Sequence, residues 1–163
     1  MRSLAPLTVT TILIVLADQI SKLAVVHVMD LKSLGVIIVA DPFLILRMAW
    51  NEGINFGFLP FAGKWVLIGL AAVICAWILG WMIRDRPSRI VQISAGLVVG
   101  GAIGNVIDRL LYGAVADFLN MSCCGFENPW SFNVADIAIF LGAFGLILFT
   151  GDSKKDVQTP RNG

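Results

Sequence analysis

Two aspartates, Asp117 and Asp136, stand at the same end of two apolar segments in a chain otherwise built for lipid. Asp117 follows the run Ile90–Leu111, in Ala-Val-Ala-Asp-Phe-Leu, and Asp136 falls near the start of the run Ser131–Thr150, in Phe-Asn-Val-Ala-Asp-Ile. An ionisable side chain at membrane depth is costly, so it marks a functional site whose partner should be named. Here each carboxylate is the other's natural partner. Two carboxylates facing each other across a water molecule are the minimal machine for hydrolysing a peptide bond without a metal or a nucleophilic side chain.

Other chemistries run short of residues. The chain has one histidine, His27, which excludes His-Glu-x-x-His zinc chemistry and leaves a Ser-His-Asp triad a single candidate base. His27 ends the first apolar run and reads as an interfacial residue. Ser21 and Lys22 are neighbours, so on a helix they point in different directions and make a poor dyad. Cys75 lies inside an apolar run and behaves as a small apolar side chain. Cys123 and Cys124 have neither metal-ligand nor CxxC spacing. Adjacent cysteines rarely satisfy disulfide geometry with each other, so free thiols and a bridge to another protein both stay open.

The elements that must position the aspartates follow from composition. Of 163 residues, 58% are hydrophobic and 14% charged, with mean hydropathy +0.85. A soluble domain carries about 25% charged residues, so this composition belongs in a membrane. Four stretches approach the roughly 20 residues that span a hydrocarbon core: Leu7–Val26, Trp65–Ile83, Ile90–Leu111 and Ser131–Thr150. The first is interrupted by Asp18-Gln19 and Ser21-Lys22 and has no Ala-x-Ala-like site after it, so it reads as a retained helix. The expected fold is an all-α membrane protein of four transmembrane helices with a small β-rich cradle between helices one and two. Residues 1–150 form one polytopic unit, and 151–163 form a polar tail.

Basic residues set the orientation. Arg2, Arg84, Arg86, Arg89, Lys154, Lys155 and Arg161 fall on one side, and only Lys32, Arg47 and Lys64 on the other. The positive-inside rule then predicts both termini in the cytoplasm and the two aspartates toward the outer face. A net charge of +1 argues against a nucleic-acid partner.

The segment His27–Lys64 is no ordinary loop. Val36-Ile37-Ile38-Val39 and Phe43-Leu44-Ile45-Leu46, parted by Ala40-Asp41-Pro42, read as a strand pair. With Trp50, Phe56, Phe58, Phe61 and Trp65 they suit the outer membrane–water interface. A folded cover over the bundle with no further role is the alternative. In the third apolar run, Gly96, Gly100 and Gly104 recur at four-residue spacing and predict close helix packing in lipid. Asn105, Asp108, Arg109 and Tyr112 follow on one face, where Asp108 and Arg109 could neutralise each other. Asn133 and Asp136 share a face of the fourth helix. Asp18 and Lys22, four apart on helix one, read as a buried ion pair that orients the bundle.

These residues resemble a known family. Asp18-Gln19-x-Ser21-Lys22, Asn51-x-Gly53-x-x-Phe56-Gly57, Gly104-Asn105-x-x-Asp108-Arg109, Val115-Ala116-Asp117-Phe118 and Phe132-Asn133-Val134-Ala135-Asp136 occur in this order. Together they are similar to the motif blocks of bacterial lipoprotein signal peptidase, signal peptidase II, across roughly residues 7–150. The resemblance implies an aspartic endopeptidase of the bacterial inner membrane that removes signal peptides from prolipoproteins, cutting before a diacylglyceryl-modified cysteine. It implies Asp117 and Asp136 as the catalytic pair, and Asp18, Lys22, Asn51, Gly53, Asn105, Arg109 and Asn133 as supporting or substrate-binding residues. The stretch Asn120–Asn128 departs from the aromatic-rich segment usual there.

The chemistry calls for no metal and no organic cofactor. The expected partners are a prolipoprotein substrate and membrane lipids, with the chain acting as a monomer. The rival from another class is a small proton- or ion-coupled membrane transport subunit, which also uses membrane aspartates. Position separates the two: carriers place the acid near the midplane, whereas here both aspartates lie at outer helix ends.

Overall fold

The computed structural model describes residues 3–53 and 63–150. Phe56, Gly57, Phe58 and Phe61 of the expected interfacial segment, and the tail 151–163, lie outside the described residues. The chain order is α1 (Ala5–Lys22), a π-helical turn Leu23–Val28, a short α2 (Leu31–Leu34), β1 (Val36–Ala40), β2 (Leu44–Asn51), α3 (Lys64–Asp85), α4 (Arg89–Tyr112), β3 (Val115–Asn120) and α5 (Val134–Thr150).

Among the described residues, three helices are long and apolar enough to cross a membrane: Ala5–Val28, Lys64–Asp85 and Arg89–Tyr112. The fourth apolar helix, α5, has 17 residues. Large apolar side chains crowd the outside, among them Leu13 and Ile20 of α1, Val73 and Trp77 of α3, and Phe140 and Ile147 of α5. In water such a surface would aggregate; in lipid it is the expected solvent face.

The helix α4 is central. Its most apolar stretch is 61% buried, against 17% for the first helix and 11% for α3. Its glycines explain why. A Cβ on Gly96 would lie 2.8 Å from Leu7 O and Thr10 Cβ, and one on Gly100 would lie 2.8 Å from Ile14 Cβ and 2.9 Å from Thr11 O. The backbones of α1 and α4 therefore approach more closely than any side chain at these positions would allow. One wall of the core, built from Leu7, Ile78, Met82, Val91, Ala95, Val98 and Val99, forms where α1, α3 and α4 meet.

The sheet departs from expectation in one respect. It has three antiparallel strands in the order β1-β2-β3, and the third comes from the segment after α4. The protein is mostly helical rather than all-α. Asp117 accordingly sits in a strand, not at a helix end, opposite Ala49 of β2. Burial of Leu46, Ala116 and Phe118 against Val26 and Leu31 fastens the sheet to the helices.

Candidate active site

Three local structures deliver the aspartates and their neighbours. Asn51 closes β2 opposite Val115, while Asp117 faces Ala49 two residues further along. Residues two apart on a strand share a face, so Asn51 and Asp117 are diagonal neighbours across the pair. Asn51 Nδ2 donates to Asp117 Oδ2 at 3.1 Å. Gly53 N donates back to Asn51 Oδ1 at 3.1 Å, which orients that amide.

The start of α5 is built as a capping box. Asn133 precedes the helix, and its Oδ1 accepts from Asp136 N at 2.9 Å. Asp136 Oδ2 in turn accepts from Asn133 N at 3.3 Å. Reciprocal bonds of this kind satisfy amides that a helix N-terminus leaves open. Phe132 meanwhile pairs with β3: its carbonyl accepts from Phe118 N (3.0 Å) and Leu119 N (2.8 Å), and its N–H donates to Leu119 O (2.9 Å). The cap and the strand are thereby one rigid piece.

Asn133 joins the two carboxylates. Its Nδ2 donates to Asp117 Oδ1 at 2.6 Å and to Asn105 Oδ1 at 3.2 Å. Asn105 Nδ2 donates to Asp136 Oδ1 at 2.9 Å. Arg109 donates through Nη1 to Asn105 O at 3.3 Å, lies within electrostatic reach of Asp136, Asp117 and Asp108, and keeps a buried Nε without a hydrogen-bond acceptor. Asp117 is buried and Asp136 half-buried. Burial first, then the charge of Asp136, lifts the Asp117 carboxyl from 3.8 to about 6, against the lowering pull of Asn51, Asn133 and Lys22.

Behind the pair lies a charge cluster. Lys22 Nζ is 2.7 Å from Asp18 Oδ2 and 2.7 Å from Asp108 Oδ2, all three side chains buried. Asp108 is therefore the partner of Lys22, not of Arg109, because the close packing of α1 on α4 brings Lys22 across to it. Gln19 Nε2 donates to Asp18 Oδ2 (3.1 Å) and Asp108 Oδ1 (3.2 Å). Each carboxylate then reaches toward the site. Asp108 Oδ2 accepts from Ala116 N at 3.1 Å, and Asp18 Oδ1 accepts from Ala135 N at 3.0 Å. Ala116 and Ala135 are the residues immediately before Asp117 and Asp136. Gly104 makes room, since a Cβ there would lie 2.5 Å from Asp18 Oδ2.

Sequence reasoning did not assign Gln19, Asp108 or Asn120 to this framework. Gln19 stood in a quoted motif, and Asp108 lay on the polar stripe of α4. Asn120, which donates to Asn128 O and Trp130 O, carried no such signal. His27 is exposed and 3.3 Å from the Tyr112 hydroxyl, away from the carboxylates' hydrogen bonds. Among the described residues no cluster of His, Cys, Asp and Glu is arranged to hold a metal. An apolar cavity of about 260 Å³ between α3, α4 and α5 reaches Asn105 and Arg109, its walls including Leu67, Leu70, Ile74 and Ile139.

The family model described as Signal peptidase (SPase) II matches residues 10–150. The chain belongs to the signal peptidase II family. It is similar to the lipoprotein signal peptidase of Methylobacterium sp. (strain 4-46), 39% identical over 136 residues, covering 82% of this chain and 81% of that one. It is likewise similar to the lipoprotein signal peptidase of Azoarcus sp. (strain BH72), 42% identical over 135 residues, covering 81% and 74%. A solved bacterial membrane enzyme has the same fold, with TM-score 0.78 and 23% identity over 96% of this chain and 94% of that one. Signal peptidase II membership makes the protein a protease, and its apolar helices make it a multi-pass bacterial membrane protein.

Proposed function

We propose that the protein is an aspartic endopeptidase that removes signal peptides from prolipoproteins, cutting before the lipidated cysteine, with Asp117 and Asp136 as its catalytic pair. The observation that carries the assignment is Asn133, whose amide bonds Asp117 while its backbone and Oδ1 bond Asp136. Two acids tied to one residue can act on one water and one carbonyl. The raised Asp117 carboxyl favours Asp117 as the neutral member. Asp136 then takes a proton from the attacking water, and Asp117 gives its proton toward the scissile carbonyl oxygen as negative charge develops there. Asn51, Asn105, Asn133 and Arg109 hold the pair or the substrate backbone, Gly53 orients Asn51, and Asp18 and Lys22 brace the strand and helix behind. No metal or cofactor enters the scheme.

The apolar cavity beside Asn105 and Arg109 suits the apolar stretch of a signal peptide. Family membership disfavours a proton-coupled transport subunit. In this reading α5 is the fourth transmembrane helix: at about 1.5 Å per residue it is about 25 Å long, near the lower limit for a span. The sheet rests at the outer face of the inner membrane, both termini are cytoplasmic, and residues 1–150 act as one unit and as a monomer. Seven basic residues on the inner side against three on the outer support that orientation. The deciding experiment is cleavage of a diacylglyceryl-modified prolipoprotein by the purified protein, with the unlipidated precursor as control. Equal turnover of both would sink the substrate assignment. Labelling of single introduced cysteines in intact cells tests the topology. Outer-face reagents that reached the 84–89 link and missed the 120–128 loop would reverse it.

A further inference from the structure

The chain leaves β3 through a self-closed loop. Asn120 Nδ2 donates to Asn128 O at 2.8 Å and Trp130 O at 2.9 Å, and Ser122 Oγ accepts from Asn128 N at 3.0 Å. At its tip Phe126 N donates to Cys123 O at 2.9 Å, and the two residues between, Cys124 and Gly125, have φ of +59° and +84°. Two consecutive positive φ values are the mark of a tight primed turn. Glycine meets that demand without strain; Cys124 does not.

This turn does to Cys123 and Cys124 what extended backbone cannot. Consecutive Cα atoms lie about 3.8 Å apart, short of the roughly 4.4–6.8 Å usual for a disulfide, so adjacent sulfurs normally diverge. Here they converge: Cys123 Sγ and Cys124 Sγ lie 2.7 Å apart, too close for a hydrogen bond between thiols and near the roughly 2.05 Å of a disulfide. Both thiols are exposed. Neither touches the hydrogen-bonded framework of the carboxylates.

We propose that Cys123 and Cys124 are a modification site, a vicinal dithiol that closes to a disulfide by exchange with an oxidised dithiol protein. The Cys124 thiolate attacks one sulfur of the partner's disulfide, forming a mixed disulfide and releasing one partner thiolate. Cys123, once deprotonated, attacks Cys124 Sγ and releases the second. Two thiols of this chain lose two protons and two electrons, and the partner leaves as its dithiol. The same balance holds with the two thiols exchanged, since both are exposed. A bridge across one peptide bond is strained by its short Cα spacing, and strained disulfides are the readily reduced ones. The modification is therefore reversible. Meeting such an oxidant outside the cytoplasm depends on the orientation proposed above; closure on the purified protein does not.

The test treats purified full-length protein with an oxidised dithiol-exchange protein, then unfolds it and counts alkylated cysteines by intact mass. The chain has three cysteines, so the expected count falls from three to one, Cys75, and returns to three after dithiothreitol. Peptide mapping should place the bridge between Cys123 and Cys124. Cys123→Ser and Cys124→Ser should each keep two alkylatable thiols after the same treatment or be trapped as a mixed disulfide. A count that stayed at three in the parent, or a disulfide-linked dimer in place of the internal bridge, would overturn the proposal. Cleavage activity is not the readout, so failure here leaves the catalytic assignment standing.

Discussion

Replacing Asp117 with asparagine should destroy cleavage and, at alkaline pH, stabilise the fold. The first effect follows from removing a group that gives or takes a proton in the transition state. Such groups contribute roughly 10²–10⁴-fold, or about 3–5 kcal/mol of barrier. The second follows from the carboxyl's environment. Asp117 rises from 3.8 to about 6 in the fold, and two pKa units correspond to about 3 kcal/mol. An acid raised on folding binds more protons folded than unfolded between those values. The parent therefore loses stability as pH climbs from about 4 through about 6, and the deficit is complete above. Asparagine carries no charge to desolvate and escapes the deficit. It meets a cost of its own, since its NH₂ must face one of two donors, Asn51 Nδ2 or Asn133 Nδ2. Asn133 is locked by its cap bonds to Asp136, so the half-buried Asn51 turns and gives up its bond from Gly53 N, at about 1 kcal/mol. The net gain at pH 8 is about 1–2 kcal/mol, gone by pH 4.5. Thermal unfolding in detergent at both pH values, run beside cleavage of a lipidated prolipoprotein, measures both effects. A well-folded variant with near-parental turnover refutes the catalytic role. A stability difference that failed to grow with pH refutes the account of the buried charge.

Asp136→Asn should also abolish cleavage by at least about 10²-fold while its side-chain oxygen still accepts from Asn133 N, so a folded, active variant would exclude Asp136 from the chemistry. Lys22→Met leaves Asp18 and Asp108 buried without their cation and should cost about 3–5 kcal/mol in chemical or thermal unfolding; an unchanged midpoint would mean the cluster is not coupled to the fold. Gly100→Val puts a Cβ against Ile14 and Thr11 O and should cost about 1–3 kcal/mol, read as a lower unfolding midpoint. The cleavage rate at saturating substrate should fall as pH rises above about 6, because Asp117 loses the proton it donates; a rate that climbed from pH 5 to 7 would exchange the roles of the two aspartates.

What the chain discloses as a string differs by element. Membership in the signal peptidase II family was legible, because five short blocks keep their order and the family model covers the same stretch. The strand pair around Asp41-Pro42 was legible from β-branched runs on either side of a turn. The third strand was not. Five of the six residues Val115–Asn120 are buried, so it lacks the alternation of a half-exposed strand, and six residues are too few to separate it from the end of a helix. Lys22 showed its i,i+4 partner Asp18 but not Asp108, 86 positions away, whose contact exists only once Gly96 and Gly100 let α1 settle onto α4. Local spacing reveals partners on one helix. It cannot reveal which helix lies alongside.

The bond from Ala135 N to Asp18 Oδ1 spans 117 positions of sequence, joining the first helix to the last. A ribosome delivers the first helix early and the last one late, so for most of its synthesis the chain holds Asp18 without its amide, and Asp136 joins Asp117 only with the last of these helices. The growing polypeptide threads through a membrane busy with the leader segments of other proteins, every one a potential casualty of a loose protease. On the proposed assignment, a reaction centre that exists only when α1 and α5 have met would leave the unfinished molecule inactive. Completion of the bundle is, in effect, the safety catch.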